Sequence, residues 1–320
     1  MKVRCTKCGH EMDYDPRQWR CECFGAWEAI TNVPFNHQEI VKNCWSIFRY
    51  RKILDLDYEI PYIDLGGGWT PIIDMELYGH KVKLKLDYFT ISGSNKDRGT
   101  CLMINQMIHQ KVIRVLDDSS GNAAAALSAY GNAAGMDVDI YIPFRCSEGK
   151  LKQIRSYGAR IHLVEGDRYE ATKKAIQSLS DSVMYASHVY HPCNILGQET
   201  MAFEVWEQLN GKVPDVLIVP VAQGSAFLGI HYGFRRLYDS GYTDKIPRMV
   251  AVQAENVAPV VASFENGSSS IERILPQYTI AEGISVANPV RGENILKVIY
   301  DTKGCAVAVK DEEIKIAKRN

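Results

Sequence analysis

The sequence predicts an α/β fold built on parallel sheet, and three observations carry that prediction. From about residue 80 onward, short β-branched runs alternate with helical stretches. Strands alternating with helices of ~10–15 residues read as βαβ units. Several strand-to-helix turns consist of Gly, Ser and Asn, as in "DDSSGN" (117–122) and "VAQGSA" (221–226). In open α/β sheets ligands sit on such turns, at the carboxyl ends of strands. The 320 residues suffice for one large or two ordinary domains with an ample core.

The elements follow in order. The chain opens on two close cysteine pairs, "CTKC" (5–8) and "CEC" (21–23). Such pairs read as a tetrahedral Zn site made by Cys5, Cys8, Cys21 and Cys23. The second pair is one residue shorter than the usual C-x-x-C. The expected frame is a small ribbon of two strands, with "YDPRQW" (14–19) as its turn. Unbound surface thiols are the other reading. Without a metal, though, about 25 residues with so few aliphatics bury too little surface to order themselves. Next, "KVKLKL" (81–86) alternates as a strand and leads into "SGSNKDRG" (92–99), which places Lys96 at a strand end before a helix over 98–109. Further strands are predicted at 112–116, 137–143, 159–164, 215–221 and 248–255, and helices at 122–134, 148–157, 169–178 and 198–209.

Charge and cysteine usage exclude several functions. A net charge of -1 leaves no electrostatic footprint for nucleic acid or an anionic membrane. The first residues lack the apolar segment of a signal peptide, and no apolar run approaches the ~20 residues that span a bilayer. Nine cysteines, four of them within the first 23 residues, do not form a disulfide framework. A reducing cytoplasm is the expected location. Cys44, Cys101 and Cys146 read as small core residues.

Lys96 admits two readings. It is either a surface cation at a helix N-terminus, where the helix dipole disfavours it, or a Schiff-base lysine. The second needs an amine that loses its proton, and burial together with the neighbouring Arg98 would depress its pKa. Pyridoxal phosphate is the matching aldehyde cofactor, and it asks for a phosphate cradle of backbone N–H groups, a donor to its ring hydroxyl and a polar partner for its ring nitrogen. "SSGN" (119–122) opens an alanine-rich helix and would either cap it or hold a ligand, with Asn122 as the donor. The loop Ala222, Gln223, Gly224, Ser225 and Ala226 would be either an ordinary turn or the phosphate cradle. His188 and His191 lie near the predicted substrate region and would either contact the substrate or be satisfied polar linings, the second being the favoured reading.

With these motifs on the page, the chain resembles the pyridoxal-phosphate enzymes of the tryptophan synthase β-like fold type, and most of all threonine synthase. "SSGNAAAALSAYGNAAGM", "LGGGWTPII" (65–73) and "GQETMAFEVWEQL" (197–209) are similar to that family's asparagine turn, its "lGEGxTPL" stretch and its "GQKTxAFEIxEQL" helix. The resemblance implies two three-layer αβα domains. Residues 1–30 would form a zinc-ribbon-like segment, and 31–320 the catalytic body, with a smaller domain over about 100–200 inserted in a larger one. It implies that Lys96 bonds the cofactor and moves protons on the substrate carbons. Asn122 would contact the ring hydroxyl, and residues 222–226 would hold the phosphate. Ser94, Ser119, Ser120, Gly121 and Asn122 would face the amino-acid substrate. Some threonine synthases carry a structural Zn ribbon ahead of this body. A homodimer acting on a small molecule, with no nucleic-acid or membrane partner, is expected.

The departures are as specific. Asn95 stands where the family has an aromatic residue, and "AQGSA" where it has "GNGGN". "HPCNILGQET" replaces "NPxRxEGQKT", so Asn194 and Glu199 occupy the positions of the Arg and Lys that grip the substrate's phosphate. Arg291 is either a replacement cation or a surface residue. The chain ends at Asn320, ahead of the family's strand and "SAAA"-type turn whose Ser or Thr meets the ring nitrogen, so the C-terminal part of the fold is expected to be missing. The expected activity is that of threonine synthase, O-phosphohomoserine and water to threonine and phosphate. A serine/threonine dehydratase or a β-replacement enzyme of the cysteine or cysteate synthase kind is the first alternative. A non-catalytic zinc-ribbon protein retaining the fold is the second.

Overall fold

A computed structural model describes residues 1–56, 63–144 and 148–319. Cys146 lies outside the described residues. The chain divides into two compact units, Met1–Thr200 and Met201–Asn320.

The first unit begins with a three-stranded antiparallel ribbon in the order β2-β1-β3, where β1 is Lys2–Cys5, β2 Glu11–Asp13 and β3 Trp27–Ala29. The expected ribbon had two strands. The third forms because the chain returns past the second cysteine pair and pairs Cys5 with Trp27. Val3, Cys5, Tyr14, Cys21 and Trp27 make its small core. The ribbon docks on the body of its unit: Trp27 N donates to Tyr190 O at 3.1 Å, and the Trp19 ring meets Tyr185 and Tyr190 edge-on at 4.8 and 4.9 Å.

A two-stranded hairpin follows, β4 (Ile72–Leu77) with β5 (His80–Lys85). Helix α1 (Lys96–His109) comes after a ten-residue loop, 86–95, and not at a strand end. This corrects the expectation for Lys96. The K-V-K-L-K-L alternation does form a strand, but its polar and apolar faces suit a hairpin outside the main sheet.

The main sheet of the first unit is parallel, in the order β8-β7-β6-β9, built from β6 (Arg114–Asp117), β7 (Asp137–Pro143), β8 (Arg160–Val164) and β9 (Met184–Tyr185). Its helices are α2 (Asn122–Ala133), α3 (Glu148–Ser156) and α4 (Arg168–Gln177). The alanines of α2 are almost all buried, which lets it lie close to its neighbours. Helix α5 (Pro192–Gln208) crosses the division between the units. It starts six residues before the predicted helix, at a proline whose fixed φ suits the first helical position.

The second unit carries a parallel sheet in the order β10-β11-β12, formed by β10 (Val216–Pro220), β11 (Arg248–Ala254) and β12 (Cys305–Val309). Helices α6 (Ser225–Asp239), α7 (Pro259–Glu265), α8 (Gly292–Asp301) and α9 (Asp311–Arg319) complete it. Phe227, Leu228, Val261, Ile295 and Ile299, with Met249 and Ala251, are buried in this unit. No described helix is long and apolar enough to cross a membrane.

Candidate active site

In the first unit the chain closes into a polar knot around Lys96. Ser92 donates through its backbone N–H to Asp97 Oδ2 at 2.9 Å, and its hydroxyl donates to Asp97 Oδ1. Ser94, buried, accepts from Lys96 N at 3.4 Å. These bonds fix the first turn of α1, so Lys96 begins the helix. The Lys96 ammonium donates to Asn95 Oδ1 at 3.0 Å. Burial pulls the Lys96 pKa below the usual lysine value, and attraction to Asp87 opposes the shift. The expected push from Arg98 is absent for a structural reason. Arg98 is sealed from solvent and spends its charge on Asp87 at 2.6 Å, with further bonds to Thr200 Oγ1 at 2.9 Å and Thr70 Oγ1 at 3.2 Å.

Helix α5 is locked against this turn. Gln198 Nε2 donates to Asn95 O at 2.7 Å. A Cβ on Gly99 would stand 2.4 Å from Asn194 Oδ1, and one on Gly197 would stand 2.5 Å from Arg98 O. Only glycine permits so close a crossing. Asn194 and Glu199 are both buried in α5, and Asn194 Nδ2 has no hydrogen-bond partner.

The 119–122 turn leaves β6 and opens α2. Ser119 is buried and accepts from Gly121 N at 3.3 Å. Ser120 and Gly121 are half-buried, and Asn122 is exposed at the head of α2. No side chain caps α2, so its first N–H groups are not claimed by a capping side chain. Just before this turn, Asp118 accepts from Tyr185 OH at 2.7 Å and from Thr172 Oγ1. Asp117 is buried with no hydrogen bond to either oxygen, and His188 Nδ1 stands 3.8 Å from its Oδ2. Burial raises the Asp117 pKa, while His188 lowers it. His191 is also buried. It accepts from Cys193 N through Nδ1 at 3.2 Å but leaves Nε2 without a partner, so it is not the fully satisfied lining expected.

In the second unit, residues 222–226 join β10 to α6. Ala222, Gln223, Ser225 and Ala226 are half-buried and Gly224 is buried. Gly224 is the N-cap of α6 at φ +85°, with no side-chain cap, and a Cβ there would meet Ile295 Cδ1 at 2.4 Å. With a left-handed glycine as N-cap and no side-chain cap, the first amides of α6 are not claimed by a capping side chain, which fits an anion such as a cofactor phosphate. Gln223 Oε1 accepts from Val290 N at 3.0 Å. The neighbouring Arg291 is 2 % exposed and precedes α8 as its N-cap, which corrects the surface reading.

The four ribbon cysteines converge. Their sulfur atoms lie within 4.8 Å of one another, with Cys5–Cys23 at 3.4 Å and Cys8–Cys21 at 3.7 Å. A tetrahedral Zn with Zn–S of about 2.3 Å asks for sulfurs about 3.8 Å apart, so the donor set fits. Burial pushes Cys21 up to about 12, and a hydrogen bond from the Gly25 backbone brings Cys23 down to about 7. Of the other thiols, Cys101 is a core residue as expected, whereas Cys44 is only half-buried, with its sulfur 3.5 Å from Ser46 Oγ.

Sequence reasoning missed Asp87, Gln198 and the Asp117–His188 pair. Gln198 stood in a quoted motif without a role. His188 was placed near the substrate but not paired, and Asp87 and Asp117 carry no local signal.

Comparison with known proteins places the chain. Residues 63–320 match the family described as pyridoxal-phosphate dependent enzyme. A threonine synthase of Methanosarcina acetivorans is 30% identical across 99% of this chain and 80% of its own length. One from Methanocaldococcus jannaschii is 32% identical across 100% of this chain and 82% of its own. Among solved structures, maize serine racemase superposes with a TM-score of 0.68 at 23% identity, over 78% of this chain and 74% of that one. A fungal L-serine ammonia-lyase from Rhizomucor miehei gives 0.64 at 22%, over 76% of each chain. These two show the fold. The chain belongs to the pyridoxal-phosphate-dependent enzyme family, and the two relatives named above, which it matches along nearly its whole length, are threonine synthases.

Proposed function

We propose that the protein is a threonine synthase, converting O-phosphohomoserine and water to threonine and phosphate. The observation that carries this is the Lys96 amine at the head of α1, its pKa lowered by burial, in a chain similar along nearly its whole length to threonine synthases. Pyridoxal phosphate, when bound, supplies an aldehyde for amines and a ring that draws electrons from the bonds at the substrate's α-carbon.

The residues present fit that group. Lys96 would hold it covalently, the uncapped amides of residues 224–226 would hold its phosphate, and Asn122 would donate to its ring hydroxyl. Ser94, Ser119, Ser120 and Gly121 would bind and orient the substrate, with the amides of the 119–122 turn receiving its carboxylate. The Lys96 amine, once free, takes the α-proton and returns a proton to the carbon skeleton, a role its lowered pKa favours. The Asp97 bonds to Ser92 and the Gln198 bond to Asn95 keep that amine in place. The division of the body into a smaller part over about 100–200 within a larger one belongs to the same reading. So do a cytoplasmic location, a homodimer and a small amino-acid substrate.

Cys5, Cys8, Cys21 and Cys23 would hold a structural Zn. Four thiolates leave no open position for water, so that metal takes no part in the reaction.

A second reading, a serine or threonine dehydratase, is favoured by Asn194 and Glu199 at the positions of phosphate-binding cations. One assay separates the two: phosphate release from O-phosphohomoserine measured beside ammonia release from serine and threonine. Phosphate release with threonine formed establishes the first. Ammonia release without it establishes the second. Borohydride reduction of the loaded protein, followed by peptide mapping, should find the pyridoxyl group on Lys96, and a different lysine would refute the site.

A further inference from the structure

The pair Asp117 and His188 is used by nothing described so far. Asp117 is 1 % exposed, and neither of its oxygens receives a hydrogen bond. A buried carboxylate in that state costs several kcal/mol unless a cation faces it. His188 does face it, with Nδ1 at 3.8 Å from Oδ2, and that nitrogen also has no hydrogen-bond partner. The other titratable groups around the pair are Asp118, next to Asp117 on β6, and Tyr185 on β9. They satisfy each other at 2.7 Å, and Thr172 from α4 takes the second Asp118 oxygen. Asp117 is therefore left to His188.

The position of the pair gives it a direction. Strands β6 and β9 run parallel, with Leu116 opposite Tyr185, and the bond from Ala186 N to Leu116 O continues the alignment. His188 therefore leaves the sheet at the same carboxyl edge as the Ser119–Asn122 turn. Farther along its own chain, Asn194 touches Gly99 and Gln198 bonds Asn95 beside Lys96. His188 thus starts the segment that runs from the carboxylate-binding turn to the lysine. With Nδ1 turned to the buried carboxylate, Nε2 is the nitrogen that meets whatever binds at that edge. Arg291 cannot be assigned this duty on the same footing, because it is buried at the start of α8 in the second unit.

We infer that His188, oriented by Asp117, is the residue that receives the phosphate group of the substrate, in place of the Arg and Lys that this chain lacks at 194 and 199. This rests on the proposed function. Asp117 acts as a positioning residue: it holds the imidazole by Nδ1 and so leaves Nε2 for a phosphate oxygen.

The test uses the holoenzyme and two readouts. In the first, His188→Gln should raise KM for O-phosphohomoserine tenfold or more and weaken inhibition by inorganic phosphate to a similar degree, with a smaller fall in kcat. His188→Arg should recover much of both, and Asp117→Asn should resemble His188→Gln in part. In the second, inorganic phosphate titrated into the wild type should shift the imidazole nitrogen NMR signals of His188 in a saturable way. If the wild type turns over O-phosphohomoserine yet KM, phosphate inhibition and the His188 signals are all unmoved, the inference falls and the proposed function stands. If it releases no phosphate but His188 still responds to inorganic phosphate, the anion site stands and the proposed substrate falls.

Discussion

Asp87 lies 2.6 Å from Arg98 and removes that guanidinium from the electrostatics of Lys96, two residues away on the same helix turn. A neighbour that reads as a second positive charge is, in the folded chain, half of a neutral pair. The Asp87 carboxylate is also the one group that raises the Lys96 pKa against burial.

Replacing Asp87 by Ala therefore has two expected consequences. Buried Arg98 loses the ion pair with Asp87, and breaking a buried pair costs about 3–5 kcal/mol, read as a lower urea midpoint. The Lys96 pKa moves further down, which a lysine-selective NMR titration of the cofactor-free protein measures. A variant with unchanged stability would show that Arg98 finds another partner.

Gly224→Ala tests the α6 cradle. The substitution forces a Cβ at φ +85° and against Ile295 Cδ1. Strain of about 1–3 kcal/mol is expected, and since ~1.4 kcal/mol is tenfold in affinity, the Kd for pyridoxal phosphate should rise about tenfold or more. Direct titration of the cofactor-free protein checks it. An unchanged Kd would mean that the loop does not hold the cofactor.

The ribbon should bind one Zn per chain, and Cys5→Ser with Cys8→Ser should abolish it. Metal analysis gives the stoichiometry. Because Trp19 and Trp27 join the ribbon to the rest of its unit, metal loss should also red-shift tryptophan fluorescence while the visible absorbance of the bound cofactor persists. Zn well below one per chain in freshly purified protein, unchanged by the mutations, would count against the site.

Much of this was legible in the sequence, and the remainder was hidden for identifiable reasons. The "DVDIYIP" strand was found at its predicted bounds, 137–143, since alternation and flanking turns are local signals. Helix α2 likewise begins at Asn122, where "SSGN" announces a helix start. The convergence of the four cysteines followed from spacing alone. The burial of Arg291 could not be read, because an arginine in a Gly- and Asn-containing stretch looks like surface until its tertiary packing is known. The pairing of Asp117 with His188 depends on β9, a strand of two residues whose register no periodicity reveals. The misplaced start of α5 has a similar origin: "PCNILG" lacks helix propensity, and packing of its Gly197 on α1 decides its state.

Stability should depend on pH through His191. Burial holds its pKa down at about 3, against about 6.5 when unfolded. The unfolded chain therefore takes up the proton first as pH falls, and this contribution to stability is intact above about pH 6.5 and is lost progressively toward pH 3. Between pH 7 and pH 5 the loss should be about 2 kcal/mol at 1.36 kcal/mol per pKa unit. Urea unfolding at both pH values measures it, and His191→Gln should remove that part of the difference. An identical pH dependence in the variant would rule His191 out as its source.

The crossing of α1 and α5 at Gly99 and Gly197 has one further consequence. At Gly197 the separation of the two helices is set by main chain on main chain, against Arg98 and Gly99, while Gly99 itself also meets the Asn194 side chain. A gap filled by side chains drifts as substitutions accumulate, because each exchange of volume moves the walls. A gap closed by backbone has one length only. The lysine and the helix that faces it thus keep their spacing however far the surrounding residues diverge, and a single methyl group at either glycine is enough to break it.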